Sequence, residues 1–268
     1  MKLYRYFRWL SLDIVLGAII FLRFFEDLYQ ETIPFTVYIA LASAIWLIYT
    51  VDHLIDTKKS TELDSRRQFH LRHFKSLIFV SGIIAIIGLV NIYYLPEAVI
   101  RSGVILSAFC VAYLMLVFFI PKLWFKEILV AVGYASGIFL APLTFKQIVT
   151  TQDIILFVQL VGLAMSNLLI FSYYDREQDQ KSGFGSMILQ IDSHSRRLIS
   201  VLLYKLLGSV FFSLAFLHGK YQTVELVYLI MTVILLLLIR YDLYFSSKER
   251  FRMVGDAIFF VPVLFMIL

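Results

Sequence analysis

The stretch from residue 154 to residue 170 is apolar except at Gln159, Gly162, Ser166 and Asn167, and it is one of nine such runs along the chain. Several approach or exceed the roughly 20 residues a helix needs to cross a bilayer, the last two being short. They fall near residues 9–25, 34–51, 77–95, 99–120, 128–145, 154–174, 198–217, 224–239 and 253–268. The period-two alternation of a membrane β-barrel is absent, which leaves helices as the only spanning structures. The sequence therefore predicts an all-α polytopic membrane protein of about nine transmembrane helices, forming a single domain over residues 1–268. Composition agrees, with 60% hydrophobic and only 16% charged residues, where soluble chains carry about 25% charge. The basic lead-in MKLYRYFR has no small-residue cleavage site after it, so the first run is expected to be retained as a helix.

Lys and Arg set the expected orientation. With nine spans, most of the 24 basic residues fall on the side of the N-terminus, among them Arg5, Arg8, Arg66, Arg67, Lys122, Lys126, Arg196 and Arg252. The positive-inside rule then puts the N-terminus in the cytoplasm and the C-terminus on the opposite side, with a cell inner membrane as the expected location. The net charge of +5 is mostly this asymmetry. It implies contact with anionic membrane lipids and no nucleic-acid partner. The single Cys110 excludes an intrachain disulfide and reads as apolar filler in the fourth run. The longest loops, 52–75 and 175–197, fall on the cytoplasmic side, and loops are where function concentrates.

Those two loops open on related sequences, YTVDHLIDTKKS and FSYYDREQDQKSG. Asp52 and Asp56 are four residues apart, as are Asp175 and Asp179, so each pair lies on one helical face. Tyr49 and Ser172 stand seven residues before the second aspartate of each pair, and Lys58 and Lys181 two residues after it. The pairs end the second and sixth spans, which suggests two related halves around a shared site. Like charges at i,i+4 repel, by about 0.2–0.5 kcal/mol in water and by more where solvent is excluded. Two such pairs facing one cavity call for a divalent cation. Mg²⁺ takes one or two carboxylates and completes its octahedron with water and phosphate oxygens. Paired carboxylates flanked by Lys and Arg therefore suit a magnesium–diphosphate complex.

The second segment, Asp175-Arg-Glu-Gln-Asp179-Gln-Lys181-Ser-Gly183, is similar to the Asp-x3-Asp-x-Lys-x-Gly motif of the UbiA superfamily of intramembrane prenyltransferases, and Ser186 matches a serine that often follows. Asp52-x3-Asp56 resembles the latter part of that family's Asn-Asp-x2-Asp-x3-Asp. The resemblance covers essentially the whole chain. It implies a prenyltransferase-like bundle around a central, lipid-accessible cavity, and Mg²⁺-dependent transfer of a prenyl group from a polyprenyl diphosphate to a membrane-soluble acceptor, aromatic or lipid. Asp52, Asp56, Asp175 and Asp179 would be the metal-binding, catalytic carboxylates. Tyr49, Lys58, Arg66, Asn167, Glu177 and Lys181 would bind substrate. The sequence also departs from the family. Ile48 and Tyr49 stand where it has Asn-Asp, so one carboxylate is missing. Gly185 stands where a second lysine is frequent, and the common Arg-Pro-Leu after the first motif is absent.

Other features remain open at this stage. His70-x2-His73 has the spacing of a zinc pair but no further Cys or acidic partner at convincing distance. Asn167, about two turns before Asp175, could face a lumen or hydrogen-bond a neighbouring helix. Two rival functions persist: a non-catalytic isoprenoid- or lipid-binding protein of the same fold, and a cation-coupled transporter. Against the transporter, the acidic pairs lie at one membrane face and not near the midplane. Oligomeric state leaves no signal in the sequence.

Overall fold

The computed structural model describes residues 2–59, 64–120, 122–146, 148–183, 185–191, 194–216 and 218–266, and every regular element among them is helical. The first half contains α1 (Lys2–Trp9), α2 (Leu12–Tyr29), α3 (Phe35–Lys59), α4 (Ser65–Arg72), α5 (Phe74–Ile92) and α6 (Glu97–Phe119). The second contains α7 (Lys126–Phe145), α8 (Thr151–Ser182), α9 (Met187–Ile191), α10 (Ser195–Phe216) and α11 (Lys220–Arg240). The chain then continues through α12 (Asp242–Ser246), α13 (Arg250–Ala257) and α14 (Val263–Met266), with short 3₁₀ turns before and after α13.

Among the described residues seven helices, α3, α5, α6, α7, α8, α10 and α11, are long and apolar enough to cross a bilayer. They coincide with seven of the nine apolar runs, and the chain is an integral membrane protein. The first and last runs fold differently. Ser11, in the left-handed region (φ 54°), separates α1 from α2. The 18 residues of α2 include Asp13, Arg23, Glu26 and Asp27. At the far end of α2 these charges neutralise one another, Arg23 lying 2.7 Å from Glu26 and 2.9 Å from Asp27. The last run is broken into α13, a 3₁₀ turn and α14, the last break falling at Val261 and Pro262.

Half of the most apolar stretch of α8 and of α11 is buried, against 11% for α5 and α6, so the first two form the centre and the second two the rim. α7 and α10 flank α8, and α2 packs against both α3 and α7. The outer faces of α5 and α6 expose Phe79, Ile86, Leu89, Ile105 and Phe119. In water such surface would be costly; against lipid tails it is not.

Two helices overrun the bilayer. At 1.5 Å per residue α3 is about 37 Å long and α8 about 48 Å, against a hydrocarbon core of roughly 30 Å. Their last turns carry the acidic pairs. Each is followed by a short helix, α4 or α9, before the chain returns as α5 or α10. The same arrangement thus occurs once in each half.

Candidate functional site

Local chemistry fixes the end of each acidic helix. Gly183 takes a left-handed conformation (φ 79°) and its N–H caps α8 on the carbonyls of Asp179 and Gln180, the usual role of a glycine just past a helix. Ser186 Oγ then accepts from the Leu189 N–H at 3.2 Å and starts α9. Between them, Gly185 passes so close to Lys122 that a Cβ would stand 2.4 Å from its carbonyl carbon and oxygen. No side chain fits there, so a lysine at this position is excluded by packing.

In the first half, Asp64 caps α4 by accepting from the Arg67 N–H at 2.7 Å. Burial pushes the Asp64 carboxyl up, but Arg66 and the Arg67 N–H outweigh it and hold it below the usual range. The cap sets α4 across the acidic end of the bundle, carrying its arginines towards the other half. Arg67 is buried, donates to Ser182 Oγ at 2.9 Å, and lies 3.8 Å from both Asp179 and Asp64. A residue following the first acidic pair thereby contacts the second.

Two more cations connect the pairs. Arg66 lies within electrostatic reach of Asp56 and Asp64, and of Asp52 and Asp179. Lys126, in the first turn of α7, lies within reach of Asp52 and Asp179. From the far end of the chain, Arg252 on α13 donates to Asp175. Four aspartates from two helices and four cations from three others therefore meet at one end of the bundle. Burial holds the Arg66 guanidinium below its ordinary value, and the neighbouring Arg252 lowers it further.

Asp52 also faces inward. It accepts from the Tyr113 hydroxyl at 3.1 Å and closes the polar end of a cavity of about 60 Å³ between α3, α6 and α7. Ile45, Ile48, Tyr49, Cys110 and Tyr134 are among the side chains around it. An apolar slot thus leads from the acidic end into the bundle, with Tyr49 in its wall.

Other expected substrate residues lie elsewhere. Lys58 is exposed and sits over the Phe74 ring at 4.6 Å. Glu177 is exposed and makes no hydrogen bond or ion pair among the described residues, and Lys181 is exposed on the last turn of α8. Asn167 is buried against α13, its Oδ1 only 2.6 Å from where a Cβ on Gly255 would be. It does not line the cavity. His70 and His73 each place Nδ1 2.9 Å from a backbone carbonyl of α4, those of Arg66 and Phe69. Conversely, Lys126 and Arg252 stand out in the sequence only as basic residues on the N-terminal side and Tyr113 not at all, yet all three border the aspartates. Arg252 had one local sign, its place four residues before Asp256, at the start of the last apolar run.

Three solved structures share this architecture. A UbiA homolog from Aeropyrum pernix K1 superposes with a TM-score of 0.66 at 12% identity, over 95% of this chain and 98% of that one. The chain has the UbiA fold. A UbiA homolog from Archaeoglobus fulgidus, bound to GPP and Mg²⁺, gives a TM-score of 0.66 at 11% identity, over 98% of this chain and 99% of that one. A digeranylgeranylglyceryl phosphate synthase gives 0.60 at 14% identity, over 98% of both chains. No family model and no curated protein matches the sequence. At these identities the UbiA likeness is one of backbone, and the chemistry must be argued from this chain's own side chains.

Those side chains suit Mg²⁺ held together with a phosphate ligand. Among the described residues no three His, Cys, Asp or Glu side chains converge to hold an ion alone. Mg²⁺ does not ask for that: one or two carboxylates suffice when water and phosphate oxygens supply the rest. Each acidic helix offers one such pair, and Arg66, Arg67, Arg252 and Lys126 beside the aspartates supply positive charge of the kind a phosphate ligand needs.

Proposed function

We propose that the chain is a Mg²⁺-dependent intramembrane prenyltransferase, a single domain whose acidic end faces the cytoplasm of a cell inner membrane. The carrying observation is that both acidic pairs meet the same basic residues, Arg66 and Lys126, at the mouth of an apolar slot in a UbiA fold. Asp52 and Asp56 on α3 and Asp175 and Asp179 on α8 would hold the metal ions. When bound, Mg²⁺ would neutralise the diphosphate and stabilise it as a leaving group.

The chain's own residues do the rest. The guanidinium and ammonium groups hold the diphosphate oxygens and stabilise the charge that grows on them as the bond to the prenyl carbon breaks. That bond's electron pair leaves with the diphosphate. The allylic cation left behind is captured by an electron-rich acceptor, which then gives up a proton. The slot holds the prenyl tail and keeps water from the cation. Tyr49 and Tyr113 line it, and their aromatic rings are suited to stabilising positive charge. Tyr49 replaces a carboxylate with a neutral phenol, so the first pair works with two aspartates.

Two observations favour a second reading, a binding protein without turnover. Asp175 is already paired with Arg252, and the first motif lacks its third carboxylate. Diphosphate release separates the two. Purified protein in detergent is given labelled geranyl, farnesyl and longer prenyl diphosphates, with membrane extract as acceptor source, with and without Mg²⁺. Magnesium-dependent release that is lost in Asp175→Ala is the expected result, and the labelled product identifies the acceptor. Tight magnesium-dependent binding without release would make it a binding protein. Neither binding nor release would confine the likeness to the fold.

A further inference from the structure

The short helix α13 is fixed on α8 by contacts that admit little slippage. Phe251 stacks on Tyr174 with centroids 4.3 Å apart and planes 15° from parallel, and meets Phe171 edge-on at 5.9 Å. Gly255 packs so tightly that a Cβ would stand 2.5 Å from the Phe171 ring. Arg8, from α1, holds the other side of the helix through Asp256 at 3.5 Å. All the α8 contacts fall within about two turns of Asp175, so α13 is registered on the helix that bears the second acidic pair.

This seating places the Arg252 guanidinium beside the edge-to-face pair of Phe171 and Phe251, 5.7 and 5.3 Å from their ring centroids, with Asp175 as acceptor. Beyond Asp175 it looks onto positive charge, since Arg66 and His53 lie within its electrostatic reach. Among the described residues the Arg66 guanidinium has no hydrogen bond and no carboxylate within ion-pair distance. An arginine needed only to neutralise Asp175 gains nothing from a second guanidinium beside it; the repulsion is a cost. Guanidiniums carry five donors each, and close pairs of them suit an anion that accepts from both.

We propose that Arg252 and Arg66 form a two-sided clamp for the diphosphate, one arm from the helix after the first acidic pair and the other from the end of the chain. The clamp rests on the prenyltransferase reading and adds to it that α13 is part of the binding site. Arg252 turns from Asp175 towards the incoming phosphate oxygens while the Phe251 contacts with Tyr174 and Phe171 keep α13 in place.

The test uses full-length protein in detergent and inorganic pyrophosphate with Mg²⁺, titrated calorimetrically. Wild-type protein is expected to bind, and Arg252→Gln to bind about 30-fold or more weakly, as when a desolvated charged hydrogen bond is truncated. Arg252→Lys, which keeps the charge but loses the fork, is expected to fall between. Arg66→Gln and the double variant complete a cycle in which losses are expected to be non-additive. Arg250→Gln serves as control, since Arg250 lies over Tyr244. Binding by Arg252→Gln within about twofold of wild type, or strict additivity in the cycle, overturns the clamp while leaving the prenyltransferase reading intact. If Arg252→Gln does not fold, Arg252→Lys and Arg66→Gln decide: wild-type affinity in both overturns the clamp. Failure of wild-type protein to bind pyrophosphate with Mg²⁺ overturns the prenyltransferase reading and the clamp with it.

Discussion

A methyl group on Gly185 would stand 2.4 Å from the Lys122 carbonyl, inside any contact a real Cβ makes. The turn between α8 and α9 and the segment before α7 have therefore closed on each other, and Lys126 follows from that segment to its place beside Asp52 and Asp179. Gly185→Ala should cost about 1–3 kcal/mol, as overpacking usually does, and lower the thermal midpoint in detergent. An unchanged midpoint would mean the Lys122 turn gives way freely. The sequence shows Gly185 only as a departure from a familiar motif; the neighbour that forbids a side chain is sixty-odd residues away and leaves no local trace. Lys58, Glu177 and Lys181 are the opposite case. Each stands two residues after an aspartate, and at about 100° per residue that is roughly 200° around the helix. Once α3 and α8 run unbroken to Lys59 and Ser182, these residues leave the helix on the side opposite the aspartate two before them, and all three are exposed.

At the scale of elements, α4 is the part whose position most depends on one side chain. It has eight residues, too few to be stable alone, and its first turn is tied by Asp64. Asp64→Ala should cost about 0.5–2 kcal/mol at pH 7, the usual worth of an N-cap, and should weaken pyrophosphate binding because Arg66 and Arg67 lose their seat. The pH dependence has a definite sign. The folded-state carboxyl is held below its ordinary value, so its contribution is complete above the unfolded value of about 3.9 and is lost as pH falls through the lower, folded one. The gap in thermal midpoint between wild type and variant should be flat from pH 7 to 5 and narrow only below about pH 4. A gap that changes between pH 7 and 5 would assign the effect to another group. The elements themselves were legible wherever an apolar run was long: α3, α5, α6, α7, α8, α10 and α11 all lie on predicted spans. They were least legible at the two ends of the chain. There a left-handed Ser11 divides a run whose composition gave no sign of division, Pro262 breaks the last run as an interior proline can, and the charges at the far end of α2 pair within that helix.

For the molecule as a whole, the slot beside Asp52 is the limiting dimension. Its volume of about 60 Å³ falls well short of the roughly 300–1,000 Å³ of ordinary ligand sites, so a prenyl tail can enter only if helices part. The burial pattern indicates which. α8 and α11 are locked in the centre, whereas α6, which forms one wall of the slot, is among the least buried spans and has lipid on its other side. Outward movement of α6 from α3 and α7 would widen the slot and open it to the bilayer, the direction from which a prenyl substrate arrives. Filling the slot should therefore separate the two ends of the ligand. Cys110 lies on α6 in the slot wall, and Cys110→Phe puts a ring where the tail would lie without touching the aspartates or arginines. Burial of a tail is worth about 0.8 kcal/mol per methylene, so wild-type protein should bind farnesyl diphosphate at least tenfold (about 1.4 kcal/mol) more tightly than inorganic pyrophosphate. In Cys110→Phe that advantage should vanish while pyrophosphate affinity stays unchanged. If the variant retains the full advantage of the prenyl chain, the tail lies elsewhere, and the slot between α3, α6 and α7 is packing space and not the substrate's path.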